Sequence, residues 1–140
     1  MDWKLEVVVL PVSDVDRAKE FYTEKLGFNL DVDHEMNEHF RIVQMTPPGS
    51  GCSVTVGKGL SDAAPGSVRG MQLVVSDIEA AHAQLTERGV PVSEISHFDN
   101  GNRKPGVDPD RRVFNSFIFF SDPDGNAWAV QEGHRGTPPS

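Results

Sequence analysis

The chain has 140 residues, with 13 Lys+Arg against 21 Asp+Glu and a formal net charge of −8. That size suits one domain or two small fused modules with a core of their own, and the acidic balance argues against a nucleic-acid partner. The single cysteine, Cys52, excludes an intrachain disulfide or a thiolate metal cluster, and no apolar run is long enough to span a bilayer.

The first element in chain order is the β-branched run Val7-Val8-Val9-Leu10, which reads as a strand. Asp2, Lys4 and Glu6 interrupt any apolar leader before it, so a cytoplasmic protein is expected. Val12-Ser13-Asp14-Val15 then opens a helix over about 15–26, with Ser13 and Asp16 spaced as a capping box. Val15, Ala18, Phe21, Tyr22 and Leu26 share its inner face, and Gly27 stops it. An extended stretch over 28–32 comes next. It is followed by a hairpin with arms at 40–45 and 53–56, turned by Pro47-Pro48-Gly49-Ser50. Small and polar residues from Gly59 to Ser67 form a linker.

The pattern then repeats. Met71 to Val75 reads as a strand, and Val75-Ser76-Asp77-Ile78 opens a second helix over about 78–88 that ends at Gly89. Its expected inner residues are Ile78, Ala81, Ala83 and Leu85. An extended stretch over 90–95 follows. A last hairpin, 117–120 and 127–131, turns through Asp122-Pro123-Asp124-Gly125. The layout is therefore a βαβββ module over 1–58, a linker over 59–67 and a second module over 68–132. The second carries a charged insertion at 99–112, expected to be a lid, a contact surface or a mobile loop. A frayed tail is expected over 133–140.

The repeat, the two Val-Ser-Asp helix entries, Phe21-Tyr22 with Leu26-Gly27-Phe28, and Asp122-Pro123-Asp124-Gly125-Asn126 together resemble the vicinal oxygen chelate superfamily of glyoxalases, bleomycin-resistance proteins and dioxygenases. The resemblance implies an α+β fold in which two βαβββ modules form a curved eight-stranded mixed sheet, with helices outside and a ligand cup inside. It also implies a homodimer. Family enzymes hold a divalent metal with His, Gln or Glu from four strands, and the matching positions here are Val7, Gly70, Ala129 and about Val54. None of these side chains can ligate a metal, so no metal and no other cofactor is expected.

Strand alternation names what would line the cup instead. It turns Val7, Val9, Gln72, Val74, Ala129 and Gln131 towards the cup, while Phe40 and Arg41 stand near its rim at the start of the first hairpin, and these eight are the candidates for ligand binding. Gln72 and Gln131 either bond a ligand carbonyl or hydroxyl or bond each other. Arg41 either pairs with a ligand carboxylate or makes a surface salt bridge, and Phe40 either stacks on a ligand or packs its hairpin. His97 is the one candidate for a general acid or base, against the reading of a solvated loop histidine. Trp128 and Phe119 are expected to face the helices or a dimer partner. The expected function is binding of a small organic molecule in an apolar cup, by sequestration or with a metal-independent reaction. A metal-dependent lyase or dioxygenase and a protein-interaction module are the alternatives.

Overall fold

The computed structural model describes residues 1–134, so the tail expected over 133–140 lies outside the described residues from 135 on. Nine strands and two helices follow one another as β1 (Val7–Val9), α1 (Val15–Glu20), β2 (Asn29–Asn37), β3 (Phe40–Thr46), β4 (Ser53–Lys58), β5 (Met71–Val75), α2 (Ile78–Glu87), β6 (Ser96–Asp99), β7 (Asn102–Pro105), β8 (Phe117–Ser121) and β9 (Ala127–Glu132). They build two mixed sheets, ordered β1-β4-β3-β2 and β5-β9-β8-β6-β7. The α+β class and the repeated strand-helix-hairpin plan hold, with nine strands in place of eight.

The extra strand comes from the insertion. Asp99-Asn100-Gly101-Asn102 is a hairpin turn, with Asn100 at φ 53° and Gly101 at φ 79°. Two consecutive left-handed residues match the right-handed twist of paired strands, which is why Asn-Gly is favoured there. β7 folds back on β6 as a result, with Phe98 opposite Arg103.

Two units can be described separately. The first comprises Met1–Val68 with Asp122–Asn126, and the second Arg69–Ser121 with Ala127–Ser140. In the first, Val43, Met45, Val54 and Val56 face α1 and are buried with Val15, Ala18, Tyr22 and Leu26. Phe21 is only half-buried. Beyond Glu20 the helix widens into a π-helical turn, Phe21–Lys25, in which the Leu26 N–H donates to the Phe21 carbonyl. In the second unit, Ile118, Phe120, Trp128 and Val130 are buried on the side that carries Ile78 and Leu85 of α2. Ala83, expected inside, is exposed.

Both helix caps sit one residue later than expected. Asp14 accepts the Arg17 N–H at 3.0 Å, and Asp77 accepts the N–H groups of Glu79 and Ala80 at 3.1 Å. A carboxylate at that position can satisfy the orphan donors of the first turn as well as a serine can. Ser13 Oγ is thereby released to donate to Asp124 at 2.6 Å. The segment over 90–95 forms no strand of its own. Pro91 lacks an N–H, and Ser93 joins β8 through its backbone N–H to the Phe119 carbonyl and its Oγ from the Phe119 N–H.

Candidate functional site

Each sheet has one face turned to its helix and one open face, and register decides which residues share them. In the first sheet Val7 lies opposite Ser53, Val9 opposite Thr55, and Gln44 opposite Thr55 from the other side. Val32 and Ile42 follow on the same side through β2 and β3. Val7 is 43% exposed and Val9 38% exposed. Phe40, two residues before Ile42 on the same strand, takes this side as well and is half-buried. A cavity of about 360 Å³ opens beside Val9, lined among others by Val12, Lys58, Leu60 and Pro65. Its size falls within the range of small-molecule pockets.

Arg41 belongs to the other face, which corrects its placement at a cup rim. Its Nε and Nη2 fork onto Asp33 at 3.1 and 3.0 Å, and Nη1 donates to Asp16 on α1 at 2.8 Å. Lys19 adds a third contact to Asp33 at 2.7 Å. Hydrogen bonds from Arg41 and then Lys19 hold the Asp33 carboxyl at about 2, and the Asp33 and Asp16 carboxylates push Arg41 above its ordinary value. The guanidinium is committed to structure.

In the second sheet Trp128, Val130 and Glu132 turn to the helix side, and Ala127, Ala129 and Gln131 turn the other way. Parallel pairing sets Gln72 beside Ala129 and Val74 beside Gln131. Antiparallel pairing sets Phe119 beside Ala129 and Phe117 beside Gln131. Phe119 therefore lies on the open face, whereas Trp128 packs towards the helix. The two glutamines bond each other, Gln131 Nε2 donating to Gln72 Oε1 at 2.8 Å. Phe117 and Phe119 stack nearly parallel with centroids 6.2 Å apart, and Phe98 meets Phe117 edge-on at 5.6 Å. Arg103 lies over Phe119, its Cζ 4.9 Å from the ring centre.

His97 does not join this face. It alternates with Ser96 and Phe98, turns inward at 7% exposure, and its Nδ1 lies 2.7 Å from the Gly106 carbonyl. The Nδ1–H donates there, so the ring anchors the loop after β7. The ring is thus neither a solvated loop histidine nor placed beside the aromatic row to act as a general acid or base.

The insertion is not a bare loop. Asp108 is fully buried and accepts from Arg112, Asn115 and the Asp110 N–H. Those bonds, Arg112 first, hold its carboxyl well below the usual carboxylate range. Asn115 in turn accepts the Phe98 N–H and donates to the Phe98 carbonyl, pinning the edge of the aromatic face.

The residues at the metal positions implied by the resemblance do not fit a divalent ion. Val7, Gly70 and Ala129 have no donor side chain. Val54 faces α1, and its open-face neighbours on β4 are Ser53 and Thr55, with Ser53 Oγ 2.6 Å from Thr46 Oγ1. Among the described residues no group of three or more His, Cys, Asp or Glu side chains could hold a metal ion. Among them, too, no helix is long and apolar enough to cross a membrane.

Sequence reasoning missed Phe98, Arg103, Phe117 and Phe119. Two signals carried them: the Asn100-Gly101 hairpin, which places Arg103 opposite Phe98, and the register of the last turn, which places Phe119 opposite Ala129.

Comparison with known proteins agrees with this architecture. A solved structure of TnmS3, an antibiotic binding protein from Streptomyces sp. CB03234, is 32% identical with a TM-score of 0.73, covering 94% of this chain and 97% of that one. A glyoxalase/bleomycin resistance protein from the same strain is 34% identical at a TM-score of 0.70, covering 91% and 99%. A superfamily member from Sphaerobacter thermophilus DSM 20745 is 30% identical at 0.71, covering 94% and 98%. The Glyoxalase family profile matches residues 4–130, so the chain belongs to the Glyoxalase/Bleomycin resistance protein/Dioxygenase superfamily.

Proposed function

We propose that this chain is a binding protein that sequesters a small, flat, largely apolar organic molecule, without a metal and without converting it. The observation that carries this reading is the open face of the second sheet. There Phe98, Phe117 and Phe119 form a row of rings beside the small Ala129 and the Gln72–Gln131 amide pair. Aromatic rings offer a ligand stacking area at little entropic cost, and amides fix orientation through hydrogen bonds. Among the described residues, the strand positions that share this face carry no imidazole, thiol or carboxylate. The similarity to TnmS3, an antibiotic binding protein, supports an antibiotic as the ligand class. Val7, Val9 and Phe40 form a separate apolar patch on the first unit's own open face.

The test is equilibrium binding of a panel of planar antibiotics in excess EDTA, with the compound recovered afterwards and analysed by mass spectrometry. The expected result is affinity unaffected by the chelator and a ligand recovered unchanged. Phe117→Ala should weaken binding by about tenfold, in the range of a lost aromatic contact. Accumulation of a product, or binding abolished by EDTA, would overturn the reading.

We also propose a homodimer. Met1, Trp3 and Leu5 continue the odd-numbered row of Val7 and Val9 beyond β1, and Trp3 is 88% exposed. So large an apolar row on an edge strand marks a surface that another chain covers. Sedimentation equilibrium should give twice the chain mass, and Trp3→Ser with Leu5→Ser should shift the protein to monomer. A wild-type monomer at high concentration would refute it.

A further inference from the structure

Resting on the reading that a flat molecule binds the second sheet's open face, we propose that this molecule carries an acidic oxygen, a carboxylate or phenolate on a planar aromatic frame, and that Arg103 reads it. Arg103 stands on β7, opposite Phe98. Its Nε donates to Ser96 Oγ at 3.0 Å, and its guanidinium lies over the Phe119 ring. Ser96 itself is buried, so it is a fixed post. Hydroxyl and ring together hold the guanidinium plane while leaving both Nη groups as donors.

No carboxylate among the described residues takes those donors. That sets Arg103 apart from Arg41, Arg111 and Arg112, each of which forks onto an aspartate or glutamate. The contrast matters in a chain of net charge −8, where carboxylates outnumber cations. A guanidinium stacked on a ring is also less hydrated than an ammonium and is suited to two-pronged recognition of an oxyanion. The rings dictate the rest of the ligand. Phe117 adjoins Phe119 and Phe98 adjoins Phe117, so an oxyanion on Arg103 places its frame along that row. A bare inorganic anion would gain the fork alone and would meet the negative ring faces.

The experiment is a fluorescence titration of the full chain with anthracene-2-carboxylate and with the matching neutral carboxamide. The wild-type protein should bind the acid about tenfold or more tightly than the amide, the size expected of hydrogen bonds to a charged group. Arg103→Gln should bring the two affinities to within about twofold, because an amide makes no charge-assisted fork. Circular dichroism and the melting temperature check that this variant is folded. Equal affinities in the wild type, or a preference that survives Arg103→Gln, would overturn the role of Arg103 and leave the binding face standing. Failure of both compounds to bind would overturn the face itself, and Arg103's role with it.

Discussion

Asp122→Ala is expected to lower folding stability by about 4 kcal/mol, through the two buried donors it would strand and the turn it would undo. The carboxylate is 5% exposed and accepts five hydrogen bonds. Oδ1 takes the N–H groups of Asp124, Gly125 and Asn126, closing the turn. Oδ2 takes the Tyr22 hydroxyl and Asn126 Nδ2, both at 2.8 Å. Tyr22 and Asn126 are fully buried, so neither can turn to water when the acceptor is removed. Asn126 Nδ2 also donates to the Pro11 carbonyl, tying the turn to the segment that leads into α1. Urea denaturation measures the loss. Tyr22→Phe removes one donor together with its need for a partner, and should cost only about 1 kcal/mol. The double variant should then lose less than the two single losses added together, since the residues share one network. A loss under about 1 kcal/mol for Asp122→Ala would mean that the turn holds its shape without the carboxylate.

The same turn shows how far the sequence could be read. Asp122-Pro123-Asp124-Gly125 announces a hairpin by local chemistry alone, and β8 and β9 do flank it. Local chemistry also gave both helices, with Gly27 at φ 77° and Gly89 at φ 79° as left-handed stops. What it could not give was the long-range partner of each polar group. Arg41 and Arg103 both stand on hairpin arms, Arg41 next to Phe40 in sequence and Arg103 opposite Phe98 only through strand pairing. One faces Asp33 and Asp16 and is saturated; the other faces a ring and a hydroxyl. The difference is set by strand parity and by what α1 presents to its sheet, neither of which is local. The anchoring role of His97 was illegible for a related reason. Without β7, nothing in the sequence says that the Gly106 carbonyl returns to meet it. The amide pair was legible because Gln72 and Gln131 both fall on the small-residue side of their strands, and only their mutual bond was left open.

Glu132→Ala is expected to cost about 3 kcal/mol, from the lost charge-assisted bonds to half-buried Arg111 and the stranded Ile78 N–H. Glu132 is fully buried on the helix side of β9. Its Oε1 accepts from Arg111 Nε at 3.1 Å, and its Oε2 accepts from Arg111 Nη2 at 3.0 Å and from the Ile78 N–H at 2.9 Å. The side chain thus closes the first turn of α2 and grips the insertion together. Arg111 of that insertion, at φ 49°, and Phe114 just after it, at φ 60°, hold left-handed backbone that non-glycine residues avoid. Glu132 restrains both, Arg111 through the carboxylate and Phe114 through its N–H to the Glu132 carbonyl at 2.7 Å. Without the carboxylate, the pair left to Arg111 among the described residues is exposed Glu79, a weak surface pair. The strain then favours release of the loop, and Asn115 loosens its hold on Phe98. Hydrogen exchange should therefore quicken first over 108–116 and at Phe98, ahead of the β8 and β9 core. Affinity for a planar ligand should fall as well, although Glu132 faces away from the aromatic row. Uniform quickening across the second sheet, with ligand affinity unchanged, would show that Glu132 supports the core alone and that the insertion holds itself in place.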